Sequence, residues 1–155
     1  MVSILFVLFL IGCATSSQLD QISEVAPDPE LSPREVVELQ LRAFRANDEE
    51  DRGIDIAFRF ASPTNRQVTG PVARFAQMIK GPLYRPMLTY EEATFGETVV
   101  RGRVAVQRVV LEIEDQRVSY DFYLVLQEGG TYDQCWMTEA VSVVPNQEAP
   151  PTLNV

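Results

Sequence analysis

Hydrophobic and polar positions along this chain change their period once, near residue 87. Upstream the repeat is helical. Val37, Leu41 and Phe44 recur at i, i+4 and i+7, with Val36 and Leu39 alongside, which predicts a helix running to about Ala46. Its start is well marked. Ser32 suits the N-cap, Pro33 stands at N1, Glu35 at N3 completes a capping box, and Leu31 and Val36 are placed for a hydrophobic staple. A second helix is expected through Ile54, Ala57, Phe58 and Ala61, stopping at Ser62-Pro63. A third opens at Gly70-Pro71, sets Val72, Phe75, Ala76 and Ile79 on one face, and ends at Gly81-Pro82. Asp48-Glu49-Glu50-Asp51 lacks the glycine and alternate spacing of a calcium loop, and acids are favoured at the start of a helix by its dipole.

Downstream the repeat shortens to two and β-branched residues increase. Strands are predicted over 87–95, 99–113, 117–127 and 131–144, joined at Gly96-Glu97, Glu114-Asp115-Gln116 and Gly129-Gly130. Three helices followed by four consecutive antiparallel strands make an α+β domain, with the helices packed on one face of a curved sheet. The last residues, 146–155, are polar and proline-rich and are expected to be a disordered tail.

The N-terminus has another character. VSILFVLFLI is too short to span a bilayer as a helix and has the length of a signal-peptide core. It runs into Leu10-Ile11-Gly12-Cys13, which resembles the lipobox of bacterial lipoproteins. That resemblance implies cleavage after residue 12 and acylation of Cys13, hence a membrane anchor in the bacterial cell envelope. Ala14 after the cysteine implies the outer membrane, periplasmic side, in a Gram-negative cell. One departure is the lack of Lys or Arg before Cys13; Arg34 is the first basic residue. Residues 1–12 are thus expected to be a signal, 13–30 a flexible polar tether, and 31–145 the folded domain.

Composition narrows the chemistry. The 155 residues suffice for one domain with a real core, 46% being hydrophobic and 23% charged. Thirteen Lys and Arg face 22 Asp and Glu, a formal charge of −9, which argues against nucleic-acid binding. Histidine is absent, so serine triads, Cys-His dyads and imidazole metal sites are excluded. Cys13 and Cys135 cannot make a disulfide framework. No dinucleotide, P-loop or Cys-x-x-Cys motif is present, so no cofactor is expected.

Helices followed by a bent antiparallel sheet resemble the nuclear-transport-factor-2-like superfamily, which includes ketosteroid isomerase, scytalone dehydratase and polyketide cyclases. Several segments look more narrowly like a bacterial and plant family known as a domain of unknown function. They are Glu35-Val36-Val37-Glu38-Leu39-Gln40-Leu41, Ala57-Phe58-Arg59-Phe60-Ala61-Ser62-Pro63-Thr64-Asn65, Thr69-Gly70-Pro71, Phe75-Ala76-Gln77-Met78 and Tyr84-Arg85-Pro86-Met87. The resemblance implies a cystatin-like cone enclosing a pocket, often dimeric through its convex face. It assigns no activity.

Strand phase locates the candidate side chains. Val118, Tyr120, Phe122, Leu124 and Leu126 form one apolar face, which sends Asp121 to the other. The stretch around Val104–Leu111 is apolar on both faces, which suggests that a homodimer covers the second; the alternative is an ordinary central strand with local bulging. Cys135, Met137, Glu139, Val141 and Val143 share a row, leaving Glu139 a lone carboxylate, and Arg108 is equally isolated among valines. Glu139 is a candidate acid or base with Tyr120 or Tyr90; the plainer reading pairs it with Arg108 or Arg103, or turns it to solvent. Phe58, Met78, Tyr90, Tyr120, Phe122 and Trp136 are candidate pocket residues, or simply core. Arg66, Arg74 and Arg85 either gather an anion or are scattered surface charges, and Cys135 is expected to be a buried, unreactive thiol. The expected function is an anchored, non-enzymatic domain that binds a small apolar ligand or a partner. The alternatives are an isomerase- or dehydratase-like enzyme and a purely structural dimer.

Overall fold

The computed structural model describes residues 13–145, so the expected signal and tail lie outside the described residues. Among the described residues six helices precede the sheet: α1 (Cys13–Ile22), α2 (Pro33–Arg45), α3 (Arg52–Phe58), α4 (Pro63–Thr69), α5 (Val72–Lys80) and the single turn α6 (Pro86–Thr89). They are followed by β1 (Glu92–Arg101), β2 (Val104–Ile113), β3 (Gln116–Leu126) and β4 (Trp136–Val144), with a short 3-10 turn at Gly130–Tyr132. The strands pair in chain order as an antiparallel meander, so the fold is α+β.

Helix α2 is built as its sequence indicates. The Ser32 hydroxyl accepts from the Glu35 amide, and the Glu35 carboxylate accepts from the Ser32 amide at 2.8 Å. The Ser32 hydroxyl also lies 2.6 Å from that carboxylate and donates to it, and this bond first, then the one from the Ser32 amide, holds the Glu35 carboxyl below its ordinary value. Val36, Val37, Leu41 and Phe44 are buried on the face towards the sheet. Opposite them, Ala105, Val109 and Leu111 of β2 and Tyr120, Phe122 and Leu124 of β3 complete one continuous core. Ala43 and Gly53 bring α2 and α3 so close that a Cβ on Gly53 would stand 2.2 Å from the Ala43 carbonyl oxygen.

Several boundaries differ from the expected ones. The stretch read as a tether carries α1, whose Leu19 and Ile22 sit one helical turn apart and are buried in the core. The second helix ends at Phe58, short of the expected Ala61, and Ser62-Pro63 instead starts α4: the Ser62 hydroxyl accepts from the Asn65 amide at 3.0 Å. Met87 and Leu88 belong to α6, because Pro86 opens a helical turn where strand was expected.

The expected turn at Gly96-Glu97 is instead a bulge inside β1, where the pairing shifts between Phe95 and Thr98. The real hairpin is at Gly102, which has φ +60°, so the expected 99–113 strand divides there. Residue 131 falls in the 3-10 turn, and the last strand begins at Trp136. The sheet is not strongly curled, and the cone-like shape is not confirmed. β2 and β3 pair over ten residues without a register shift, and the irregularities fall on the outer ladders.

Candidate functional site

The site begins with a register fault. On β3, Tyr123 and Leu124 are consecutive, yet their partners on β4 are Ala140 and Thr138. Glu139 is therefore an extra residue, the device by which a β-bulge re-aims a side chain. The row expected from strict alternation is broken there. Thr138 lies opposite Leu124 and Val141 opposite Phe122 on the core side, whereas Met137 lies opposite Val125.

Helix α4 fixes this bulge in place. The Thr138 amide donates to the Phe60 carbonyl at 2.8 Å, and the Ser62 amide donates to the Thr138 carbonyl at 2.9 Å. Asn65 adds a side-chain bond to the same carbonyl at 3.0 Å. Ser62 itself is buried, and its hydroxyl donates to Glu139 Oε2 at 2.5 Å while capping α4. One serine thus ties a helix start to a carboxylate.

Below the bulge lies a cavity of about 230 Å³ between α2, α4, α5 and the sheet. Its walls are mainly apolar: Phe44, Val68, Phe75, Met78, Ile79, Met87, Phe122 and Val141. Several of its polar groups are engaged with the protein. Thr138 donates to Gln40 Oε1 at 2.6 Å, and Gln40 donates to the Ala57 carbonyl at 3.1 Å. The Thr69 hydroxyl lies 2.9 Å from the Asn65 carbonyl, which accepts its proton, and Tyr84 donates to the Val141 carbonyl at 3.2 Å. Glu139 is the one carboxylate in the lining, and no Lys or Arg lies on the wall. Among the described residues it enters no ion pair. Such a group accepts hydrogen bonds, attracts positive charge or exchanges one proton. The described residues contain no cluster of three or more acids or cysteines able to hold a metal.

Of the expected pocket residues, Met78 and Phe122 line this cavity together with Glu139. The other four are placed elsewhere. Tyr120 is fully buried and donates to the Leu83 carbonyl at 2.8 Å; burial pushes its pKa up strongly. Tyr90 donates to the Leu41 carbonyl at 3.1 Å beneath the Arg45 guanidinium, and burial raises its pKa as well. Phe58 packs against Phe75 with centroids 4.8 Å apart, and Trp136 is half-buried at the start of β4. The structure therefore brings neither Tyr90 nor Tyr120 to Glu139 in the cavity.

The charged candidates also separate. Arg108 makes a two-pronged pair with Asp121, both bonds 2.8 Å, across the outer face of β2 and β3. Arg103 pairs with Glu128, so neither arginine serves Glu139. Arg66 donates to the Ala61 and Arg59 carbonyls and to Tyr132; Arg74 donates to the Thr69 carbonyl; Arg85 borders a shallow hollow beside Lys80. They do not converge on an anion site. Cys135 is a buried thiol whose pKa is raised, first by desolvation and then by Asp28 and Asp133.

Sequence reasoning missed Ser62, Asn65, Thr69 and Tyr84. The signal for the first three was present. Ser62-Pro63 repeats the Ser32-Pro33 pattern that starts α2.

Residues 28–150 match the family described as "Domain of unknown function (DUF4864)", and the chain belongs to that family. No curated protein and no solved structure matches the chain. No helix among the described residues is long and apolar enough to cross a membrane.

Proposed function

Starting from membership of a family with no assigned activity, we propose that this chain is an envelope lipoprotein whose domain binds a small, largely apolar ligand without transforming it. The observation that carries this reading is the apolar cavity beside Glu139. Cavities of about 150 Å³ already accommodate a benzene ring, so 230 Å³ is enough for a compact organic molecule. An acid/base enzyme would need a second group poised against Glu139, and the hydroxyls of Tyr90 and Tyr120 are committed to carbonyls outside the cavity.

The finer fold reading, a nuclear-transport-factor-2-like domain, belongs to the same proposal. Its support is the order of helices and meander, with a cavity between them. So does the anchor on Cys13. The buried Leu19 lies six positions after Cys13. At 1.5 Å per residue, α1 would hold the domain about 9 Å from its lipid.

Native mass spectrometry of the full chain tests the ligand. A co-purifying molecule of small mass, lost in Val141→Phe because the ring fills the cavity, is the expected result. The same bare mass in both proteins, together with no thermal shift from any small aromatic compound, would refute the reading.

A second observation favours self-association. Val99, Val104 and Tyr123 are exposed on the outer face of the sheet, beside half-buried Val106 and Val125. A homodimer through this face should dissociate in sedimentation when Val99→Lys and Tyr123→Lys are combined. A wild-type monomer would end that reading.

A further inference from the structure

We infer that the cavity's ligand is a small organic cation, an amine carrying an apolar body about the size of one ring and a short chain. The inference rests on the proposal above that the cavity is a ligand site, and it assigns the ligand's chemical class.

The argument is one of hydrogen-bond supply. Four hydroxyl protons around the cavity are directed at protein acceptors, Ser62 to Glu139, Thr138 to Gln40, Thr69 to Asn65 and Tyr84 to Val141, and the lining also holds the exposed, neutral Thr64 hydroxyl. The charged capacity that the protein leaves open is the acceptor capacity of Glu139. Ser62 donates to Oε2, and no Lys or Arg among the described residues pairs with the carboxylate. A carboxylate has about four lone-pair sites, so one serine leaves most of them free. A ligand that engages Glu139 must bring hydrogens.

Charge selects among such ligands. A fatty acid or a phosphate would face a carboxylate with no basic group in the lining to balance it. A neutral alcohol offers one hydrogen. An ammonium offers charge together with up to three hydrogens, and charge-assisted bonds are roughly twice as strong as neutral ones. Phe44, Phe75 and Phe122 on the walls add aromatic rings, and a ring face attracts a cation. The chain's formal charge of −9 attracts cations over longer range. Volume sets the size: a benzene ring occupies a cavity of about 150 Å³, so 230 Å³ leaves room for a two- or three-atom arm.

The test compares three probes of matched shape, titrated calorimetrically into the full chain in detergent-free buffer at neutral pH. They are 2-phenylethylamine, 2-phenylethanol and 3-phenylpropionate. The amine is expected to bind about tenfold more tightly than the alcohol, and the carboxylate most weakly. In Glu139→Gln the amine should fall to the alcohol's affinity while the alcohol's own affinity is unchanged, which also shows that the variant folds. Alcohol or carboxylate binding as tightly as the amine would overturn the cation assignment and leave the ligand cavity standing. Failure of all three to bind would overturn the cavity reading and this inference with it.

Discussion

Replacing Ser62 by alanine is the most informative single perturbation of this structure. Its hydroxyl accepts from the Asn65 amide as the cap of α4 and donates to Glu139 at 2.5 Å. Losing a serine N-cap costs about 1 kcal/mol. A hydrogen bond to a charged acceptor contributes about 1.5–3 kcal/mol, and the lower end applies because Glu139 is only half-buried and water can replace the serine. Together the expected destabilisation is about 2.5 kcal/mol, or roughly 9 °C in Tm for a domain of this size. Trp136, the single tryptophan, is half-buried at the start of the same strand and reports unfolding in urea by its fluorescence. Glu139→Gln keeps an acceptor for Ser62 and should change stability by less than about 0.5 kcal/mol, since no ion pair is lost. The two changes combined should cost less than their sum, because they share one bond. If Ser62→Ala costs less than about 0.5 kcal/mol, the tie between α4 and the bulge carries no weight. If Glu139→Gln costs more than about 2 kcal/mol, the carboxylate has a cationic partner and the open acceptor argued above does not exist.

Other parts of the molecule make separate predictions. Gln107 is fully buried, donates to the Gly96 and Arg108 carbonyls at 2.9 Å each, and accepts from Thr98, so it plugs the β1 bulge. Gln107→Leu should cost about 2–4 kcal/mol in urea denaturation by stranding those groups, and a neutral result would contradict the plug. Gly53→Ala would drive a Cβ to 2.2 Å from the Ala43 oxygen and 2.7 Å from the Asn47 Cα, both backbone atoms; a loss of about 3 kcal/mol or more is expected in thermal melts. Alkaline pH should destabilise the fold. Burial raises Tyr90 and Tyr120 above the ordinary 10.0, so the unfolded chain loses these protons first. Their contribution is complete below pH 10.0 and is lost as pH rises towards the folded-state values. A Tm that stays flat above that pH would refute it, and Tyr120→Phe should flatten the slope.

Local signals along the chain were sufficient wherever one element decides its own fate. Ser32, Pro33 and Glu35 specify the start of α2 because a cap bonds within four residues of itself, and the run from Val118 to Leu126 specifies β3 because its alternation is unbroken. The α+β order follows from the single change of period. Elsewhere the same local rules misled. Gly96-Glu97 reads as a turn, and only Gln107 from the neighbouring strand makes it a bulge. Gly102, six residues later, is the true reversal. α1 looks polar because two buried residues, Leu19 and Ile22, are enough to dock it once the core exists to receive them.

The candidate site shows the same division. That Glu139 is an isolated carboxylate among apolar residues was legible by counting. That it borders a cavity with Met78 and Phe122, bonded to Ser62 and in no ion pair with an arginine, was not. Ser62 and Glu139 stand 77 positions apart in the chain. A bulge shifts the phase of every residue beyond it, and such a shift arises from pairing between strands. Periodicity is a property of one segment, whereas register and hydrogen-bond partnership belong to two segments at once, and only their packing settles them.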